Sequence, residues 1–179
     1  ENPVIRRVYV MDIDGKNRRL IAENARQACW RGDGKVIAYL RADRGTHKQF
    51  QYGKSDLFFY EIATGKRWPH PNEEVRGLWN ICWTPDNKWI LTSVAGGLGY
   101  GHAIVALGVD NNKVVTLRES NGQTGDYQCR PDISPDGKRV SWVKEDYWVK
   151  WWIEVCDIDL EKDSPSLSNC RYVVNSPGK

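Results

Sequence analysis

Hydrophobic residues fall along the chain in short runs of β-branched and aromatic side chains, each closed by a Gly, Asn, Asp or Pro turn. No window of roughly 11 residues carries clean helical periodicity, so the pattern predicts strands throughout. The runs also repeat. One theme spans Cys29–Ala38, Cys82–Leu91 and Ile133–Trp142, with Asp33, Asp86 and Asp136 standing 53 and then 50 residues apart. A second theme lies out of phase with it, at Val8–Lys16, Leu57–Lys66, Ile104–Lys113 and Trp152–Leu160; Gly15 and Gly65 are 50 residues apart. Two interleaved themes at one period describe a repeated supersecondary unit.

The unit is all-β, and Asp-Gly and Pro-Asp-Gly supply its hairpin turns, because glycine accepts the positive φ such turns need. Four strands per period of about 50 residues predict a partial β-propeller of four-stranded antiparallel blades. Residues 5–11 and 17–22 are expected to be the outer strands of an incomplete first blade (1–24). Full blades are expected at 27–70, 78–118 and 128–175. Smaller rings have about four blades, so three blades and a half imply a larger ring of 6–8, completed by a protein partner or by remaining blades.

The motifs carry a resemblance. Val8-Tyr9-Val10-Met11-Asp12-Ile13-Asp14-Gly15, followed by Arg19-Leu20, and Trp83-Thr84-Pro85-Asp86-Asn87-Lys88 with Ile90, resemble the TolB-like propeller repeat. Residues 30–40 and 133–143 depart from it: Arg31-Gly32 replaces Ser-Pro, and Ile133 stands where tryptophan is usual. The resemblance covers most of the chain and implies fold. It implies little chemistry, because such propellers serve as binding platforms and as enzyme scaffolds alike. It also implies export.

Composition narrows the classes of function. Of 179 residues 27% are charged, with a net charge of +3 and both signs interspersed, which disfavours nucleic acid as a partner. No stretch approaches the roughly 20 apolar residues that span a bilayer, so membrane insertion is not expected. Glu1 opens into a strand-like segment without a signal peptide, as in a mature product or a piece of a longer chain. Nine tryptophans and eight tyrosines against three phenylalanines favour rings with a polar handle, common at protein interfaces and carbohydrate sites.

Five cysteines, at 29, 82, 129, 156 and 170, form no C-x-x-C, which removes zinc ribbons, thioredoxin-like motifs and c-type haem attachment. Cys156 and Cys170 flank the last hairpin and are expected to bridge across it, which would place the protein in an oxidising, periplasmic or extracellular compartment. Cys29 and Cys82 hold the same place in neighbouring repeats, as small core residues do.

Loops at one mouth of the channel are the expected binding face. They hold Arg44, His47, Tyr100, His102 and Trp148, with Arg76, Trp79, Tyr127 and Arg130 in the links between blades. Arginine and aromatic rings on one face suit a protein hot spot or a carboxylate-bearing sugar. Gly96, Gly97, Gly99 and Gly101 mimic a phosphate cradle, but a strand follows them and not a helix N-terminus. Asp12, Asp14 and Asn17 mimic a calcium loop yet sit on a hairpin turn. No nucleophile motif or metal-ligand spacing is present, and no cofactor is expected. Three functions stay open. The first is a non-catalytic binding and assembly module of a larger exported protein. The second is a carbohydrate-active or lectin-like propeller, related to oligogalacturonate lyase-like proteins and acting on an acidic sugar. The third is a domain of a redox or haem complex.

Overall fold

A computed structural model describes residues 5–42, 55–120, 126–146 and 150–175. Strands β1 (Arg7–Val10) and β2 (Arg19–Glu23) form a two-stranded sheet. The second sheet holds β3 (Ala25–Trp30), β4 (Val36–Ala42), β5 (Ser55–Glu61) and β6 (Arg67–Pro69). The third holds β7 (Leu78–Trp83), β8 (Trp89–Ala95), β9 (His102–Gly108) and β10 (Val114–Ser120). The fourth holds β11 (Asp126–Ile133), β12 (Arg139–Asp146), β13 (Lys150–Asp159) and β14 (Ser166–Asn175). Every neighbouring pair is antiparallel and follows chain order. The first strands of successive four-stranded sheets touch, β3 on β7 and β7 on β11, which gathers them on the inner side of a partial propeller.

The sheets stack through their faces. On β8 and β9 one set of residues, Ile90, Val94, Ala103, Val105 and Leu107, packs toward Leu40, Leu57 and Phe59 of the second sheet. The alternate set, Trp89, Leu91, Ile104 and Ala106, packs toward Val140, Trp142, Cys156 and Ile158 of the fourth. A sheet buried on both faces needs apolar residues at consecutive positions, hence the runs 89–91 on β8 and 103–107 on β9, with Thr92 and Ser93 buried beyond the first. The two-stranded sheet lays Val8 and Ile21 against Ala25, Ile37, Tyr39 and Tyr60.

Within each four-stranded sheet the first hairpin closes on a repeated turn. The amides of Lys35, Lys88 and Lys138 bond the carboxylates of Asp33, Asp86 and Asp136 at 2.9, 3.1 and 3.0 Å. Gly34, Asn87 and Gly137 sit between them at φ 70°, 61° and 71°, a region open to glycine and tolerated by asparagine. Thr84 and Ser134 brace the turn aspartate through their hydroxyls, each at 2.6 Å. Arg31, the sequence's departure from Ser-Pro, does the same with a two-pronged guanidinium contact to Asp33 at 2.9 and 2.8 Å. The turn in turn anchors the third strand. The amides of Ile62, Val109 and Ile158 donate to the carbonyls of Lys35, Lys88 and Lys138 at 2.9, 3.0 and 3.0 Å.

Candidate functional site

The inner strands share a second device. Each carries a bulge, between Arg26 and Cys29, Trp79 and Ile81, and Cys129 and Asp132. At its centre Gln27, Asn80 and Arg130 adopt positive φ of 52°, 53° and 56°. A bulge of this kind re-aims the neighbouring side chains away from simple alternation. The Gln27 side-chain carbonyl accepts from the Asn80 amide at 2.9 Å, tying two inner strands together.

This geometry corrects one expectation. Trp79, Tyr127 and Arg130 belong to strands β7 and β11, not to the links between blades, and His102 is the first residue of β9. The bulge residues interrupt the hydrophobic alternation of β7 and β11, so the sequence pattern reads Trp79, Tyr127 and Arg130 as loop. Arg76 and Tyr100 do lie outside strands, while Arg44, His47 and Trp148 fall outside the described residues.

The described candidates form separate groups. His102 meets Tyr127 edge-on, with ring centroids 4.4 Å apart, at the junction of the third and fourth sheets. Burial holds the His102 imidazole below its usual pKa, so the neutral ring is favoured. Arg26 lies over the Trp79 ring at 5.8 Å, joining the second and third sheets. Tyr100 turns away from the inner strands, and its hydroxyl bonds Thr116 of β10 at 2.5 Å. Arg130 is exposed. Arg76 borders a cleft of about 510 Å³ lined by Asp56, Phe58, His70, Glu73 and Val75 among others.

His70, in that cleft, is occupied structurally. Its Nε2 donates to the Gly108 carbonyl at 2.9 Å and its Nδ1 accepts from the Asn72 amide at 3.1 Å. Burial lowers its pKa as well, in keeping with a neutral clamp between two sheets. The glycine run also has a packing explanation. A Cβ on Gly97 would stand 2.1 Å from the Arg76 carbonyl oxygen, so glycine is required by the close approach of two chain segments. Asp12 and Asp14 are engaged in their own turn, with Asn17 at 2.6 Å and the Lys16 amide at 3.0 Å.

The thiols are unreactive in character. Burial pushes Cys29 up to about 12 and Cys129 up to about 11, and raises Cys82 too, so all three stay protonated at neutral pH. Cys156 and Cys170 form a disulfide between β13 and β14, their Cα atoms 4.0 Å apart. Beside it lies a group that no motif in the sequence marks. Buried Glu154 accepts from Trp142 Nε1 at 3.0 Å and pairs with Arg118 of the third sheet. Glu154 and Cys156 are two residues apart on one strand and so face one way; only that spacing hinted at the association.

No protein-family model matches the chain, and no curated protein sequence matches it. Solved structures do. TolB from Acinetobacter baumannii is 18% identical with a TM-score of 0.64, over 89% of this chain and 36% of that one. The tricorn protease is 14% identical with a TM-score of 0.63, over 90% of this chain and 15% of that one. Prolyl oligopeptidase B from Galerina marginata is 20% identical with a TM-score of 0.61, over 92% and 24%. The chain thus spans about a third or less of the length of these structures. At such identities the likeness speaks for architecture, and this chain has the fold of a TolB-like β-propeller.

Proposed function

We propose that the chain is a binding and assembly module of an exported protein, acting through protein–protein contacts as part of a more complete propeller, and not through catalysis of its own. One comparison carries this reading. Trp30 and Trp83 hold equivalent places at the ends of β3 and β7, yet Trp83 is 7% exposed and Trp30 50%. Trp83 is covered by Phe59 of the preceding sheet, with ring centroids 5.7 Å apart, whereas the sheet that precedes Trp30 has two strands instead of four. Among the described residues the other exposed large apolar groups gather at the two ends of the row: Ile5, Tyr9, Met11, Ile13 and Leu20 at one, Trp151, Tyr172 and Val173 at the other. Apolar surface concentrated on terminal faces is the mark of an interface. The remaining blades belong to the same polypeptide or to another.

The candidate side chains agree with this reading. A proton-transfer site requires a base and its partners within hydrogen-bond reach of one another. His102, Arg76, Tyr100 and Arg130 fall instead into separate groups, more in keeping with a broad docking face. The Cys156–Cys170 bridge supports an oxidising compartment. Light scattering on the purified chain across a dilution series tests the proposal. Assembly predicts a mass above 20.6 kDa that falls on dilution. A mass of 20.6 kDa at every concentration, with no polypeptide co-purifying from the native source, would sink it.

A further inference from the structure

The anchoring of each third strand exposes one position where the pattern is left open. Ile62, Val109 and Ile158 stand 47 and then 49 residues apart, and each amide donates to the lysine carbonyl of its own sheet's first hairpin turn. Ile13 stands 49 residues before Ile62, just past the end of β1, at the corresponding place. Among the described residues its amide has no such acceptor, and its side chain is fully exposed. Val109 and Ile158 are 6% and 7% exposed. Strand β1 shows the same gap at its edge. β5, β9 and β13 each lie between two strands, whereas among the described residues β1 pairs with β2 alone. Trp30 completes the outline, because its counterpart's strand, β7, is covered by β3, β4 and β5 together.

From these three gaps we infer that β1, Ile13 and Trp30 form the docking site for one β-hairpin of the kind that begins every other sheet in this chain. The occupant is specified by its equivalents. It has two antiparallel strands joined by an Asp-Gly-Lys or Asp-Asn-Lys turn. Its second strand pairs antiparallel with β1. Its turn presents the lysine carbonyl to the Ile13 amide, and its apolar face covers Trp30. An unpaired strand edge flanked by exposed apolar side chains is a template for this kind of strand addition. The inference rests on the assembly reading and names the element that satisfies one end of it. The Asp12–Asn17 turn leaves that end accessible, since its polar groups bond within the turn itself.

The test supplies the hairpin in cis. A copy of residues 25–42 is fused ahead of the chain through a flexible Gly/Ser linker of about ten residues, in the strand order of the other sheets. A control fusion carries the same residues in scrambled order. Amide hydrogen exchange is then compared at Ile13 and along Arg7–Val10. Docking predicts at least tenfold slower exchange at those amides in the first fusion, with Ile62, Val109 and Ile158 unchanged. Ile13→Pro removes the amide donor at an exposed position, and should return the Arg7–Val10 amides to within threefold of the control. Equal exchange in both fusions would overturn the hairpin inference. If the unfused chain still gains mass with concentration, the assembly reading survives that result; if it does not, both fall together.

Discussion

At the residue scale, the two described histidines are held by packing. His70 spends both ring nitrogens on main-chain partners, and His102 is half-buried against Tyr127. Burial lowers both pKa values from 6.5, so the unfolded chain takes up protons at a pH where the folded chain does not. Each histidine therefore leaves stability untouched above pH 6.5 and erodes it as pH falls from there toward the lowered folded values. Urea unfolding should show a lower midpoint at pH 5 than at pH 7.5, and His70→Gln should flatten part of that slope. A midpoint that rises on acidification to pH 5 would contradict the assignment. The carboxylate of Asp33, its pKa lowered too, follows the same sign in a more acidic window, its contribution being full above the usual 3.8 and lost as pH falls below it. The Arg31 guanidinium and the Lys35 amide hold it down to about 2, so its contribution persists to far lower pH, although its exposure keeps that contribution small. Gly97 is held by packing too, its likeness to a phosphate cradle replaced by contact with the Arg76 backbone.

At the element scale, the fourth sheet is fastened in two ways. The disulfide joins β13 to β14 across 14 residues of sequence, and a loop of about that length is worth roughly 3 kcal/mol in the chain-entropy account. Denaturant unfolding with and without a reducing agent should differ by about that amount, while Cys29, Cys82 and Cys129 contribute nothing to the difference. An unchanged midpoint under full reduction would show that the bridge closes a hairpin already fixed by its ladder. The second fastening is Glu154, whose carboxylate joins Trp142 of its own sheet to Arg118 of the neighbouring one. A buried carboxylate with both oxygens engaged fixes the register of two sheets as well as their contact. Arg67 and Arg19 do similar work at the other end, donating to the Ile21 and Ile62 carbonyls at 2.8 and 3.1 Å.

At the scale of the whole molecule, the row of sheets has satisfied interior faces and unsatisfied end faces. Equivalent residues therefore differ in worth by position alone. Trp83→Ala empties a packed site and should cost about 3–5 kcal/mol. Trp30→Ala removes a ring that is half in water and should cost the isolated chain less than about 1 kcal/mol. In the assembled form the two costs should converge, because Trp30 then gains the cover that Trp83 already has. Paired unfolding measurements of both variants, below and above the concentration at which mass increases, check this. Equal costs in the isolated chain would remove the basis for an unfinished end.

The sequence determined what is local and periodic. Turn residues with a defined φ preference, at 34, 87 and 137, mark the hairpins, and apolar runs at 89–91 and 103–107 mark strands buried on both faces. Those signals sufficed for an all-β repeat of four-stranded units, and the spacing of Cys156 and Cys170 brought them into one hairpin. The bulges of the inner strands were hidden, since Gln27, Asn80 and Arg130 break the alternation by which a strand is read. So was the separation of the candidate site into pairs. Which side chains meet across sheets, as His102 meets Tyr127 and Arg118 meets Glu154, depends on the stacking of elements 25 and 36 residues apart. No local propensity encodes that distance; it is set when the apolar faces close against one another, and only the tertiary structure decides it.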